Sequence, residues 1–459
     1  MAGIGFELRK LLRSESYLGL LRAYTYASII SSGPWVFSII GLIAVGVLSL
    51  GVVTPDTLIT QFQVTVTYLI MASLILTGGL QLGFTRWVAD RLFEKRKDDI
   101  APAYFGVVLV TTAVSGALGW LVALLGFDGV GNLYRVLIVV GLTLLSNLWI
   151  TTVFLSGLKQ YRAIVGLYAL GYGISVLLSY FARPWGLDGL LLGFIGGQFV
   201  MWVLMLWLVL RNFPVVRPIT LACFRPRQMY LSLIAGGVLY NLGVWADKLT
   251  FWFTTGTSTP VIGPLRASTI YDLPVFLAYL CVIPGMGIFL VKFETDFVEW
   301  YDKFYTAVRE GGALQDIARY HDGMQGVVRE GLYQILKVQA LTLLAVYTFV
   351  PALFSWIGIS SLYIPLFLVQ AVAASFQVML LAVLNVFYYL DRRDRRRDVV
   401  VITATLTVLN FALSMLSIHL GPAFFGYGFG VALLLTLMLG MMLLQRLFRK
   451  LEYQTFMLQ

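Results

Sequence analysis

The sequence predicts an all-α membrane protein of twelve transmembrane helices, in two parallel six-helix halves around a central cavity, with both termini cytoplasmic. Three observations lead there. Of the 459 residues, 59% are hydrophobic and 12% charged, about half the charge of an ordinary soluble domain. The apolar runs last about twenty residues or more and lack the polar/apolar alternation of barrel strands, so helices satisfy the backbone in lipid. All but four of the 33 Lys and Arg fall in the terminal segments and alternate loops, the exceptions being Arg135, Arg183, Lys248 and Arg266. Positive-inside topology keeps those segments in the cytoplasm, and an odd number of spans would break the alternation.

The spans lie near 26–53, 60–85, 103–126, 133–156, 163–182, 187–210, 229–254, 268–291, 335–357, 361–389, 399–418 and 423–445. Ahead of them MAGIGFELRKLLRSESYLGLLRAY mixes charge with apolar residues at helical spacing, which reads as a cytoplasmic amphipathic helix over 1–25. The run behind it is too long for a cleavable signal, so the first span is retained. The linker FPVVRPITLACFRPRQ within 212–228 separates an N-terminal six-helix bundle, 26–211, from a C-terminal one, 229–459, which carries a cytoplasmic insertion at 293–334. Six spans per half make the halves parallel. In support, GYGISVLLSYFARPWGLDGLLLGFIGG and LTVLNFALSMLSIHLGPAFFGYGFGVA each place a short turn before a glycine-spaced helix.

A net charge of +10 lies in the loops, which points away from nucleic acid and toward anionic membrane lipid. The stretch LDRRDRRRD at 390–398 reads as a stop-transfer cluster or as a lipid or partner site. In the insertion, Phe297, Trp300, Tyr301, Phe304 and Val308 follow helical spacing until Gly311-Gly312 interrupts, so interfacial and partner-docking helices both fit.

Chemistry-bearing motifs are few. Cys223 and Cys281 are far apart, His321 and His419 are isolated, and no GxxxxGK loop occurs. The expectation is no enzyme activity, no cofactor and no metal. A membrane glycosyltransferase would need acidic residues in a substantial outer loop, and outer loops such as GVVTPDTLITQ are short.

What the spans do carry is helix breakers and polar groups. Gly33 and Pro34 in SSGPW, and Pro284 and Gly285 in VIPGMG, are expected to break spans one and eight beside a water-lined cavity. TGGLQLG at 77–83 reads better as close helix packing. Polar residues inside spans include Gln81, Asn147, Gln198, Asn241, Asp247, Lys248, Gln370, Gln377, Asn385 and Asn410. In NLGVWADKLTFW, Asn241 and Lys248 share a helix face with Trp245 and Trp252 close by, while Tyr240, Val244, Asp247 and Phe251 line the neighbouring face. The pair sits roughly 27 Å from the cytoplasmic edge. Interfacial snorkelling and the outer mouth of a cavity both remain open there. Sugars bind by stacking on aromatic faces and by hydrogen bonds to their hydroxyls. The substrate-path candidates are therefore Tyr240, Asn241, Trp245, Asp247, Lys248, Arg266, Asp272, Gln81, Gln198 and Asn410. Acidic residues at mid-depth, which ion coupling would want, are missing.

TRWVADRLFEKR after span two, FLSGLKQYRAI between spans four and five and LNFALS in span eleven resemble the polysaccharide-transport branch of the multidrug/oligosaccharidyl-lipid/polysaccharide flippase superfamily. Within it, MAGIGFELRKLL, SSGPW and NLGVWADK resemble the PelG family, over essentially the whole chain. The resemblance implies a bacterial inner-membrane protein that carries an N-acetylgalactosamine-rich exopolysaccharide outward for biofilm matrix. It also implies a cytoplasmic PelF-like glycosyltransferase and two membrane partners, a PelD-like cyclic-di-GMP receptor and a PelE-like protein. The basic loops and the 293–334 insertion are the expected docking surfaces. A non-conducting scaffold for the synthase and a flippase for lipid-linked oligosaccharides stay open as alternatives.

Overall fold

A backbone held in lipid has no water to satisfy it, so runs of Leu, Val, Ile and Phe close their hydrogen bonds within helices. The computed structural model describes residues 17–457 apart from 159, 216, 226–228 and 391–395. In chain order the helices are α1 Tyr17–Ser49, α2 Thr57–Phe93, α3 Ile100–Gly126, α4 Asn132–Gly157, α5 Tyr161–Ala182, α6 Gly186–Asn212 and α7 Leu231–Phe253. A small antiparallel hairpin follows, β1 Thr259–Ile262 and β2 Leu265–Ala267. Beyond it come α8 Thr269–Ala278, α9 Ile283–Val291, α10 Phe297–Glu310, α11 Leu314–Ile357, α12 Ile364–Tyr389, α13 Arg396–Leu420 and α14 Tyr427–Met457.

Among the described residues, ten helical stretches are long and apolar enough to cross a membrane. One of them, Tyr161–Asn212, contains both α5 and α6, joined by a 3-10 turn at Arg183–Trp185. Helix α7 is not among the ten although its 23 residues reach about 35 Å, because Asn241, Asp247 and Lys248 lower its hydropathy.

The chain forms two compact units, one of Gly33–Thr269 and one of Met1–Ser32 with Ile270–Gln459. The first has a core rich in aromatics, including Phe62, Phe84, Trp87, Tyr104, Phe154 and Tyr168. Its buried phenols find partners, as buried tyrosines must: Tyr104 with Thr151 at 2.7 Å, Tyr134 with Thr65 at 2.7 Å and Tyr168 with Thr152 at 3.0 Å. Helices α5 and α6 pack back to back as an antiparallel hairpin. A Cβ at Gly189, Gly193 or Gly197 would collide with Ala182, Ser179 or Ser175, whose serine hydroxyls donate to the α6 carbonyls of Leu190 and Phe194 at 3.1 Å. In the other unit the α13–α14 pair repeats the device, with a 3-10 turn at Pro422–Phe424 and Gly428 against Leu413.

Four expectations need correcting. The expected surface helix over 1–25 is not separate where it is described, since Tyr17 onward is already continuous with the first span; residues 1–16 lie outside the described residues. Gly33 and Pro34 do not break α1, which runs helical to Ser49. Proline removes only one amide donor there, and the Ser31 hydroxyl donates to the Ala27 carbonyl one turn below at 2.8 Å. Span eight, in contrast, is discontinuous, with a 3-10 segment at Tyr279–Val282 and Pro284 in the first turn of α9. The segment 293–334, expected as a separate cytoplasmic insertion, is helix that continues from and into the neighbouring spans. A π-helical turn at Lys292–Asp296 leads into α10, Gly311 ends it with φ +72°, and α11 runs unbroken into the ninth span. The aromatic face expected to meet lipid or a partner is covered by the chain itself: Phe297 and Phe304 are buried, Trp300 lies over Gly323, and Phe304 meets His321. The LDRRDRRRD cluster lies largely outside the described residues.

Cys223, in the linker, is buried in an apolar crevice with Leu80, Phe84 and Tyr230. Burial pushes its thiol up to about 11, so at pH 7.5 on the order of one thiol in a few thousand is ionised. Maleimide should label Cys223 about a hundredfold more slowly in the folded protein than after unfolding in SDS. Equal rates would show an exposed thiol.

Candidate functional site

Helix α7 positions the site, and its first half is set by glycine. Gly237 and Gly78 bring the backbones of α7 and α2 into direct contact, since a Cβ on either would collide with the other's carbonyl. Asn241 lies over Gly78 and donates to the Gly237 carbonyl of its own helix at 3.0 Å. Here TGGLQLG is helix packing, and Gln81 is tied to Thr77 at 2.8 Å on the same helix.

One and two turns further along, the helix carries its charges inward. Asp247 is fully buried and Lys248 is 6% exposed. Neighbours on a helix point about 100° apart, yet the long Lys248 chain folds back so that Nζ donates to both Asp247 carboxylate oxygens at 3.1 Å and to the Val244 carbonyl at 3.2 Å. Snorkelling to an interface is therefore not what this lysine does; it forms an internal ion pair. The ammonium also sits 5.7 Å from the Trp245 ring, within cation–π range.

An aromatic stack continues outward. Trp245 and Trp252 are 6.2 Å apart, and Tyr68 of α2 stacks on Trp252 at 4.5 Å. The Tyr68 hydroxyl donates to the Arg266 carbonyl at 2.9 Å. The Arg266 side chain turns back onto the end of α7, donating from Nε to the Trp252 carbonyl at 3.1 Å and to Ser258 Oγ at 2.9 Å. A cation on the carbonyls of a helix C-terminus is stabilising, so Arg266 fastens the β-hairpin to α7. Gln61 adds a second tie, to the Val261 carbonyl at 3.2 Å.

Of the sequence-derived candidates, Tyr240, Asn241, Trp245, Asp247, Lys248 and Arg266 all belong to this stretch, with Tyr240 and Trp245 half-buried. Gln198 is elsewhere, buried in the α5–α6 hairpin and donating to Ser175 at 3.2 Å. Asp272 and Asn410 belong to the other unit. Asp272 is half-buried in the first turn of α8, and Asn410 is buried, accepting from Ser414 at 3.0 Å. Pro284 and Gly285 sit in α9, with Gly285 against Gln339. The residue missed is Tyr68. Its signal was Gln61, Thr65 and Tyr68, spaced by four and three along one face of α2. Among the described residues, no three His, Cys, Asp or Glu form a metal-binding group.

These features define a multi-pass integral membrane protein. Solved structures agree on the fold. An outward-facing multidrug transporter of the MATE family, within the MOP superfamily, aligns with TM-score 0.67 at 13% identity over 97% of this chain and 98% of its own. A MATE in its straight conformation aligns at 0.65, 12% identity, over 94% and 96%. A MOP superfamily transporter from Pyrococcus furiosus Vc1 (DSM3638), reported to have reversed binding-pocket polarity, aligns at 0.63, 12% identity, over 94% and 96%. No curated protein matches. The PelG family model, described as a putative exopolysaccharide exporter (EPS-E), matches residues 1–456, and the chain belongs to that family.

Proposed function

We propose that this protein carries an N-acetylgalactosamine-rich exopolysaccharide outward across the bacterial inner membrane during its synthesis, for biofilm matrix. It does so as a twelve-pass transporter with both termini cytoplasmic. The observation that carries the reading is the outer half of α7 in a chain of an exporter family: a buried Asp247–Lys248 pair beside half-buried Trp245 and stacked on through Trp252 to Tyr68. Charged groups inside a span are retained where they meet substrate or each other, and rings with adjacent polar groups suit a sugar chain. Ten apolar stretches, one of them a helical hairpin, together with α7, support twelve passes. The hairpin of α10 and α11 exposes Asp302, Lys303, Arg309 and Glu310, polar groups suited to docking a PelF-like glycosyltransferase or PelD-like and PelE-like membrane partners. The basic loops suit anionic lipid.

A cysteine scan tests it. Single cysteines along α1, α2, α7 and α8–α9, with Cys223 and Cys281 replaced by Ala, are expected to react with an impermeant maleimide along one face of each helix, from both sides of the membrane. Protection at every position would leave the scaffold reading standing and remove the conduit.

A further inference from the structure

We propose a second carbohydrate-binding site in the unit Ile270–Gln459, formed where the π turn at Lys292–Asp296, α10 and the end of α12 meet; it rests on the transport reading above. The residues are Glu294, Asn385, Tyr389, Tyr301 and Tyr305, backed by Phe297, and they take the hydroxyl groups and ring faces of the polymer where it enters from the cytoplasm. Glu294 Oε1 accepts from Asn385 Nδ2 at 2.9 Å and Oε2 from the Tyr389 hydroxyl at 2.7 Å. Both donors are neutral, so the carboxylate is oriented without being charge-paired to them. A carboxylate oxygen has more than one lone pair and the Asn385 carbonyl is a further acceptor, and all three side chains are half-buried. Acceptors held in place at a reachable position suit a ligand rich in hydroxyl donors.

Ring faces lie beside these acceptors. Tyr389 is 5.9 Å from both Phe297 and Tyr301, and Tyr301 is 4.7 Å from Tyr305. Phe297 is fully buried and supports the cluster, whereas the three tyrosines are half-buried. Stacking faces next to carboxylate and amide acceptors are what a pyranose needs. The π turn that carries Glu294 is a rare geometry that recurs at functional sites. Tyr389 ends α12 immediately before LDRRDRRRD, which positive-inside topology assigns to the cytoplasm, the side from which the proposed export starts.

The experiment uses the full chain in nanodiscs, titrated with N-acetylchitohexaose and with cellohexaose and followed by calorimetry. Wild type is expected to bind at least one probe saturably. Asn385→Ala, Tyr301→Ala and Glu294→Gln should each weaken it about tenfold, the scale of one lost hydrogen bond or stacking contact. The melting temperatures of Tyr301→Ala and Glu294→Gln should stay at the wild-type value. Saturable binding by neither probe, or variants that bind as wild type does, overturns the site. The transport reading fails separately, if cells lacking the protein secrete normal polymer. If secretion needs the protein while the variants neither bind nor secrete differently from wild type, only this site is wrong.

Discussion

Asp247→Ala alone is expected to destabilise the protein by roughly 3–5 kcal/mol, the usual result of removing one partner from a buried ion pair. Lys248 would be left with its ammonium desolvated at 6% exposure and without the carboxylate that balances its charge. Lys248→Ala should cost a similar amount by leaving a fully buried carboxylate. Replacing both, as Asp247→Leu with Lys248→Met, removes the charges together and keeps the volume, and such exchanges are often neutral. The double variant should therefore melt within about 1 kcal/mol of wild type, and each single variant well below. Thermal unfolding in detergent, followed by fluorescence size exclusion, checks the order. If the singles melt as wild type does, the lysine reaches an interface and the pair is an anchor after all.

Gly237→Ala is the second large effect. The added Cβ meets the Gly78 carbonyl and the Gly79 backbone, so there is no flexible side chain to give way and α2 and α7 must separate. Overpacking in a well-filled interior costs about 1–3 kcal/mol and sometimes more. At this crossing the shift also displaces Asn241 from its place over Gly78. Gly116→Ala is the matched control, because only Thr143 Oγ1 at 3.8 Å lies near its Cβ. In a helix interior that change should gain about 1 kcal/mol. Membrane yield and melting temperature are expected to fall for Gly237→Ala and hold or rise for Gly116→Ala. Equal behaviour would mean the crossing is looser than the structure has it.

Much of the helical layout was legible because lipid leaves the chain so little choice. Long apolar runs, and basic residues confined to alternate loops, are direct consequences of the solvent. The paired turns before α6 and α14 were visible for the same reason, whereas the boundary expected at 212–228 was not, since α7 groups with the helices before it in the unit Gly33–Thr269. What was not legible depended on tertiary contact. The helical spacing from Phe297 to Val308 reported an amphipathic helix correctly, but nothing local says whether the cover is lipid, a partner or, as found, α11. Gly33-Pro34 and Pro284-Gly285 look alike in sequence. The first stays helical with serine hydroxyls bonded one turn below, and the second opens a new helix after a 3-10 turn. At the site, the wheel placed Asp247 and Lys248 on different faces and so favoured separate roles. The reach of a lysine side chain brings them together, and a projection of Cα directions does not contain that reach. Tyr68 was hidden because it acts from another helix, through Trp252 and the β-hairpin.

The most direct test of the central claim is polymer secretion by cells whose only copy carries Asp247→Leu with Lys248→Met, normalised to the amount of protein in the membrane. The double variant keeps packing while deleting the polar pair. Near-normal membrane levels are expected, with secreted polymer reduced at least several-fold. Secretion at the wild-type level from a normally inserted double variant would contradict the claim and take the pair off the polymer's path.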